Sequence, residues 1–137
     1  MSQYHLRSEN GELVLPLEGL SIARCVIDHA FSLEASREHD IVVLRIECPF
    51  TVSKTGMQYV LEPNEPANLG PATALVHASV RTARASAEGR LSIVFDDGRE
   101  LTVEPSDDFE AWELTGPNGV KAVCRPGGGV STWGAAL

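Results

Sequence analysis

Apolar and polar residues alternate along most of this chain, and a period of two predicts strands with one face buried. Residues 12–17 and 20–33 read this way. In the second run, Ala23, Cys25, Ile27, Phe31 and Leu33 alternate with Arg24, Asp28 and Ser32, which places His29 on the apolar side of one long strand. A polar turn at 36–40 leads into IVVLRIEC at 41–48. There Val42, Leu44, Ile46 and Cys48 form the inward face, and Arg45 and Glu47 the outer one. Pro49 ends that run, because it cannot donate to a strand ladder. Phe50–Lys54 and Met57–Leu61 flank Thr55-Gly56 as a hairpin. These segments are expected to form a first antiparallel sheet.

At Leu69, Ala72, Leu75 and Val76 the spacing changes to three and four residues, so a short helix is expected near 71–78. Pro71 suits its first turn, and a single turn from Pro66 is expected before it. From Ser79 the period returns to two. The loops at 87–89 and 96–98 each end in glycine, and directly opposed residues must share a face. A three-residue loop at 96–98 opposes Phe95 to Arg99, Ile93 to Leu101 and Leu91 to Val103. A two-residue loop would oppose Phe95 to Glu100, so the longer loop is predicted. The same reasoning opposes Ala85 to Leu91 and Ala83 to Ile93, so that Ala83, Ala85, Leu91, Ile93, Phe95, Leu101 and Val103 are expected to point inward. The stretch 109–133 then reads as a three-stranded meander. In it Pro117-Asn118-Gly119 opposes Leu114 to Ala122 and Trp112 to Cys124, and Glu113 lies beside Lys121 or Arg125. The expected fold is α+β and β-rich: antiparallel sheets of hairpins, as a sandwich or open barrel, with one short helix. Residues 1–10 are polar enough to be expected flexible, and 11–137 to form a single domain.

Composition narrows the function without naming it. No apolar run reaches the ~20 residues a membrane span requires, and MSQYHLRSEN has no apolar segment to serve as a secretory signal. Three cysteines, Cys25, Cys48 and Cys124, at unrelated spacings suit a reducing compartment, so a cytoplasmic location is expected. The net charge is −8, and the stretch from Asp96 to Glu113 holds eight acids against Arg99 alone. An acidic chain repels the phosphate backbone, so no nucleic-acid partner is expected. The acidic stretch has three readings: solvated turns and strand edges, a docking surface for a basic protein, or a divalent-cation site.

Several segments together carry a resemblance: PLEGL at 16–20, DHAFSLE at 28–34, RIECPF at 45–50, LGPATAL at 69–75, LSIVFDDGRELTVEP at 91–105 and FEAWELTGPNGVKAVCRPGG at 109–128. In this order they resemble a family of small uncharacterised proteins found mainly in actinobacterial genomes. The most specific part is WELTGPNG…PGG…W, which includes Trp112 and Trp133. The resemblance implies a conserved domain of unknown function and brings no activity, cofactor or catalytic residue.

No CxxC or HxxxH pair is present, and His5, His29, His39 and His77 fall in separate segments, so neither metal nor cofactor is expected. Gly127-Gly128-Gly129 lacks the Lys-Ser/Thr of a phosphate loop and reads as a strand connection. Cys124 and Arg125 point to opposite faces, which makes Cys124 a small core residue. The best catalytic grouping would bring Asp107, Asp108 and Glu110 to His29. The expected role is nevertheless a non-enzymatic binding module that docks a basic protein through Asp96, Asp97, Glu104, Asp107, Asp108 and Glu110. Neutralisation of a basic toxin is one form of that role. The alternatives are a small-molecule or catalytic pocket near His29, Trp112 and Trp133, and a homo-oligomer, such as a homodimer, that pairs exposed strand edges.

Overall fold

Where the sequence alternates, the chain is extended. The computed structural model describes residues 4–134. Its strands are β1 (Arg7–Glu9), β2 (Glu12–Val14), β3 (Ser21–Ile27), β4 (Phe31–Arg37), β5 (Asp40–Ile46), β6 (Phe50–Lys54) and β7 (Met57–Leu61). After a 3-10 turn (Pro66–Asn68) and a helix α1 (Gly70–Thr73) come β8 (Val80–Ala85), β9 (Leu91–Phe95), β10 (Glu100–Val103), β11 (Trp112–Thr115), β12 (Lys121–Cys124) and β13 (Val130–Trp133). They form two antiparallel sheets, ordered β1-β2-β8-β9-β10-β6-β7 and β13-β12-β11-β5-β4-β3. The result is a sandwich-like α+β fold without a closed barrel.

The hairpin registers follow the parity argument. Ile93 opposes Leu101, Leu91 opposes Val103, and Ala85 and Ala83 oppose Leu91 and Ile93. Phe95 N–H donates to the Arg99 carbonyl at 2.9 Å, which closes the 96–98 loop at the expected residue. The seven residues expected to point inward are all buried, as are Val42, Leu44, Ile46 and Cys48. Leu114 opposes Ala122, and Lys121 Nζ lies 3.6 Å from Glu113 Oε1.

Four expectations are corrected. The strands of 12–61 do not form one sheet. The chain leaves one layer after Ile46, turns at Pro49 and enters the other at Phe50, so β6 pairs with β10 while β5 pairs with β11. The stacked rings of Phe31 and Phe50, 5.5 Å apart, bridge the layers at this crossing. Residues 20–33 are a hairpin rather than one strand. Ile27 opposes Phe31, and the Asp28 carboxylate accepts the Ala30 N–H at 2.7 Å to hold the turn. The helix is only one turn long. His77 N–H donates to the Ile22 carbonyl and Ile22 N–H to the Ala78 carbonyl, which draws the chain into the sheet and out of the helix. Its apolar residues Leu69, Ala72 and Leu75 are nonetheless buried. Finally, residues 4–10 are not loose. Tyr4 and Leu6 are buried, and β1 pairs with β2 around Asn10-Gly11, both with positive φ.

Candidate functional site

Three segments carry the chain between the layers, 15–20, 47–49 and 104–111, and the last two lie at the same end of the sandwich. The β3–β4 turn and the residues after β7 reach this end too. Together they enclose a cleft of about 280 Å³ lined by His29, Glu47, Cys48, Glu62, Ser106 and Phe109, with Pro49, Pro63 and Asn64 completing its wall. Ser106 shapes the rim. Its hydroxyl accepts the N–H groups of Asp108 and Phe109 at 3.2 and 3.3 Å, and its carbonyl accepts the Gly127 N–H at 2.8 Å. That turn leaves Phe109 exposed, between Asp107, Asp108 and Glu110, whose side chains face solvent.

The floor of the cleft is unreactive. Cys48 is buried and its thiol lies 3.7 Å from the Ala111 carbonyl. Desolvation first, then the nearby Cys124, Glu47 and Glu62, push its pKa up to about 11, so it is a neutral thiol rather than a nucleophile near neutral pH. His29 stands exposed at the tip of the β3–β4 turn. Beside it, Asp28 is held below the ordinary carboxylate range by the Ala30 N–H and then by Arg45, whose guanidinium lies 3.2 Å away.

The acids expected to act together are divided by the β9–β10 hairpin. Asp96 and Asp97 sit in its loop, whereas Glu104 and the residues after it lie at the opposite end, roughly 13 Å along four strand residues. Several already have partners. Asp97 is 2.6 Å from Arg99, Asp96 is 3.8 Å from Arg81, Glu104 is 2.8 Å from Arg90, and Glu100 accepts the Ser92 hydroxyl at 2.6 Å. Arg99 supplies the largest lowering of the Asp97 pKa. By contrast, Glu62, Asp107, Asp108 and Glu110 form no ion pair with any described residue. Among the described residues, Glu47 is ion-paired only by Arg45, at 3.9 Å.

The residues of the expected aromatic pocket do not converge. Trp112 is fully buried and its indole N–H donates to the Gly89 carbonyl at 2.8 Å. Trp133 lies half exposed on the edge strand β13, with Lys121 Nζ 5.3 Å from its ring centre. Four strand spacings, roughly 19 Å, separate β13 from the β4 that His29 precedes. Of the three, only His29 lines the cleft.

Residues 13–134 match the model of a family described as a family of unknown function, DUF6188. The chain belongs to this family. No curated protein and no solved structure matches it. Among the described residues, no group of three or more His, Cys, Asp or Glu side chains is placed to hold a metal ion, and no helix is long and apolar enough to cross a membrane. The DUF6188 match spans every residue of the cleft, from His29 to Phe109. Sequence reasoning singled out Asp107, Asp108, Glu110 and His29 but missed Glu47 and Glu62. Each of those two follows directly on a strand that ends at the cleft, β5 and β7, and only the packing of their two sheets brings them together.

Proposed function

We propose that this DUF6188 protein is a non-enzymatic binding module that receives a basic protein segment in the cleft between its layers. The observation that carries this reading is the division of the acids. Those on the hairpin are already held by arginines, whereas Glu62, Asp107, Asp108 and Glu110 have no ion pair among the described residues and stand near the exposed Phe109. A lysine or arginine entering the cleft would meet Glu47 and Glu62 at its wall. Its aliphatic stem would lie on Phe109, and the rim carboxylates would raise the association rate. Of the basic side chains, His29 lines the cleft, and Arg45, beside Glu47, is engaged by Asp28.

The test is fluorescence anisotropy of a labelled arginine-rich peptide. Combined Asp107→Asn, Asp108→Asn and Glu110→Gln substitutions should weaken binding at least about tenfold, some 1.4 kcal/mol. Asp96→Asn with Asp97→Asn should leave it nearly unchanged. Added salt should weaken the native complex, because the rim charges are solvent-exposed. Equal losses from the two sets would mean diffuse charge attraction and would remove the cleft from the account.

A further inference from the structure

At the far edge of the seven-stranded sheet, β7 has no neighbour beyond β6. Thr55 and Gly56 both have positive φ and connect Lys54 to Met57 as a two-residue turn. In that geometry Lys54 and Met57 exchange hydrogen bonds, as do Val52 with Tyr59 and Phe50 with Leu61. The backbone groups of Gln58 and Val60 therefore face outward, toward the free edge.

The other edges are protected. β1 has three residues and carries Arg7 and Glu9, β3 is interrupted by a bulge between Ile22 and Arg24, and β13 is bracketed by Gly129 and Gly134. The sequence of β7, MQYVL, has no charge, proline or glycine. Met57, Tyr59 and Val60 are all exposed, with Val60 at 73%. An uncharged, apolar edge of this kind is a template for another strand.

We infer that β7 pairs antiparallel with β7 of a second copy of this chain, about a two-fold axis at Tyr59. In that register Gln58 opposes Val60 of the second copy. Each such pair exchanges both N–H···O bonds through groups that the single chain leaves outward. The edge is also its own electrostatic complement: Lys54, the last residue of β6, stands across the turn from the start of β7, and Glu62 follows the end of β7. Antiparallel pairing brings unlike charges together at both ends, whereas parallel pairing would oppose like charges. On the inner face, Met57 and Tyr59 border an open groove of about 570 Å³ that Pro71 and Ala74 close from the helix side. The second copy's Tyr59 would cover its mouth. Lys54 and Arg99 also line this groove, which disfavours a basic segment there; of the residues at this edge, Glu62 alone is shared with the acidic cleft. Either proposal can fail without the other.

Sedimentation equilibrium at micromolar concentrations is the test. The native chain should weigh twice its 14.7 kDa. Val60→Lys and Val60→Pro should each halve the observed mass with an unchanged circular-dichroism spectrum, because neither the Val60 side chain nor its N–H serves the fold. Val60→Thr should remain dimeric. Tyr59→Cys should yield a reducible covalent dimer, since opposed residues without mutual hydrogen bonds lie within disulfide reach. A monomeric native chain, a dimer that survives both Val60→Lys and Val60→Pro, or no cross-link through Tyr59→Cys in a dimeric protein would overturn the pairing.

Discussion

At the scale of single residues, the two tryptophans differ in what they do for the fold. Trp112 is enclosed and donates to the carbonyl of Gly89, itself buried in the 87–89 loop, and so ties the two layers together. Trp112→Phe should cost about 1–3 kcal/mol in urea unfolding, because it leaves that carbonyl without its donor. Trp133→Phe should stay within about 0.5 kcal/mol, since its ring is half in solvent. Both tryptophans could be assigned to the meander from sequence, but which of them turned inward depended on β13 being an edge. Cys48 should resist alkylation in the native state at pH 8 and react at the rate of global unfolding, because burial keeps it a thiol. Asp28 gives a pH signature. Its folded pKa is depressed, so its contribution is present above the unfolded pKa and is lost as pH falls through the folded one. Asp28→Asn should therefore lower the melting temperature at neutral pH, and the difference from the native chain should close in acid.

At the scale of elements, local chemistry specified the hairpins well. Inward residues must oppose inward residues, and the loops of 87–89 and 96–98 each supply a glycine with positive φ. Those two glycines separate two costs. A Cβ on Gly98 meets open space, so Gly98→Ala carries only left-handed strain, about 1 kcal/mol. On Gly89 it would come within 2.6 Å of the Cys124 sulfur, so Gly89→Ala should add about 1–3 kcal/mol of overpacking. Thermal unfolding of the two variants measures the difference. The run at 20–33 misled for a physical reason. A three-residue loop is odd in length, so Ile27 and Phe31 share a face across it and the alternation continues through the turn. The spacing of Leu69, Ala72, Leu75 and Val76 alone gave a helix of eight residues, but the sheet claimed the backbone groups of His77 and Ala78. Residues 4–10 were misread because two buried side chains, Tyr4 and Leu6, leave no periodic signal among polar neighbours.

At the scale of the whole molecule, the interleaving of the sheets was the least legible feature. Nothing near β6 in sequence states that it will pair with β10 rather than β5, because that choice is made by core packing between distant segments. The cleft inherits this opacity. Asp107, Asp108 and Glu110 stood out as a charge run, but Glu47 and Glu62 join them only because the crossings at 47–49 and 104–111 and the end of β7 meet on one side of the sandwich. The central claim is that this end, rather than the acidic stretch as a whole, receives a basic segment. Titrating the isotope-labelled native protein with an arginine-rich peptide and following backbone amide shifts tests it most directly. The largest shifts should fall at Glu47, at 62–64 and at 106–110, while 96–98 stays still. Shifts spread evenly over 96–113, or confined to the 96–98 loop, would contradict it.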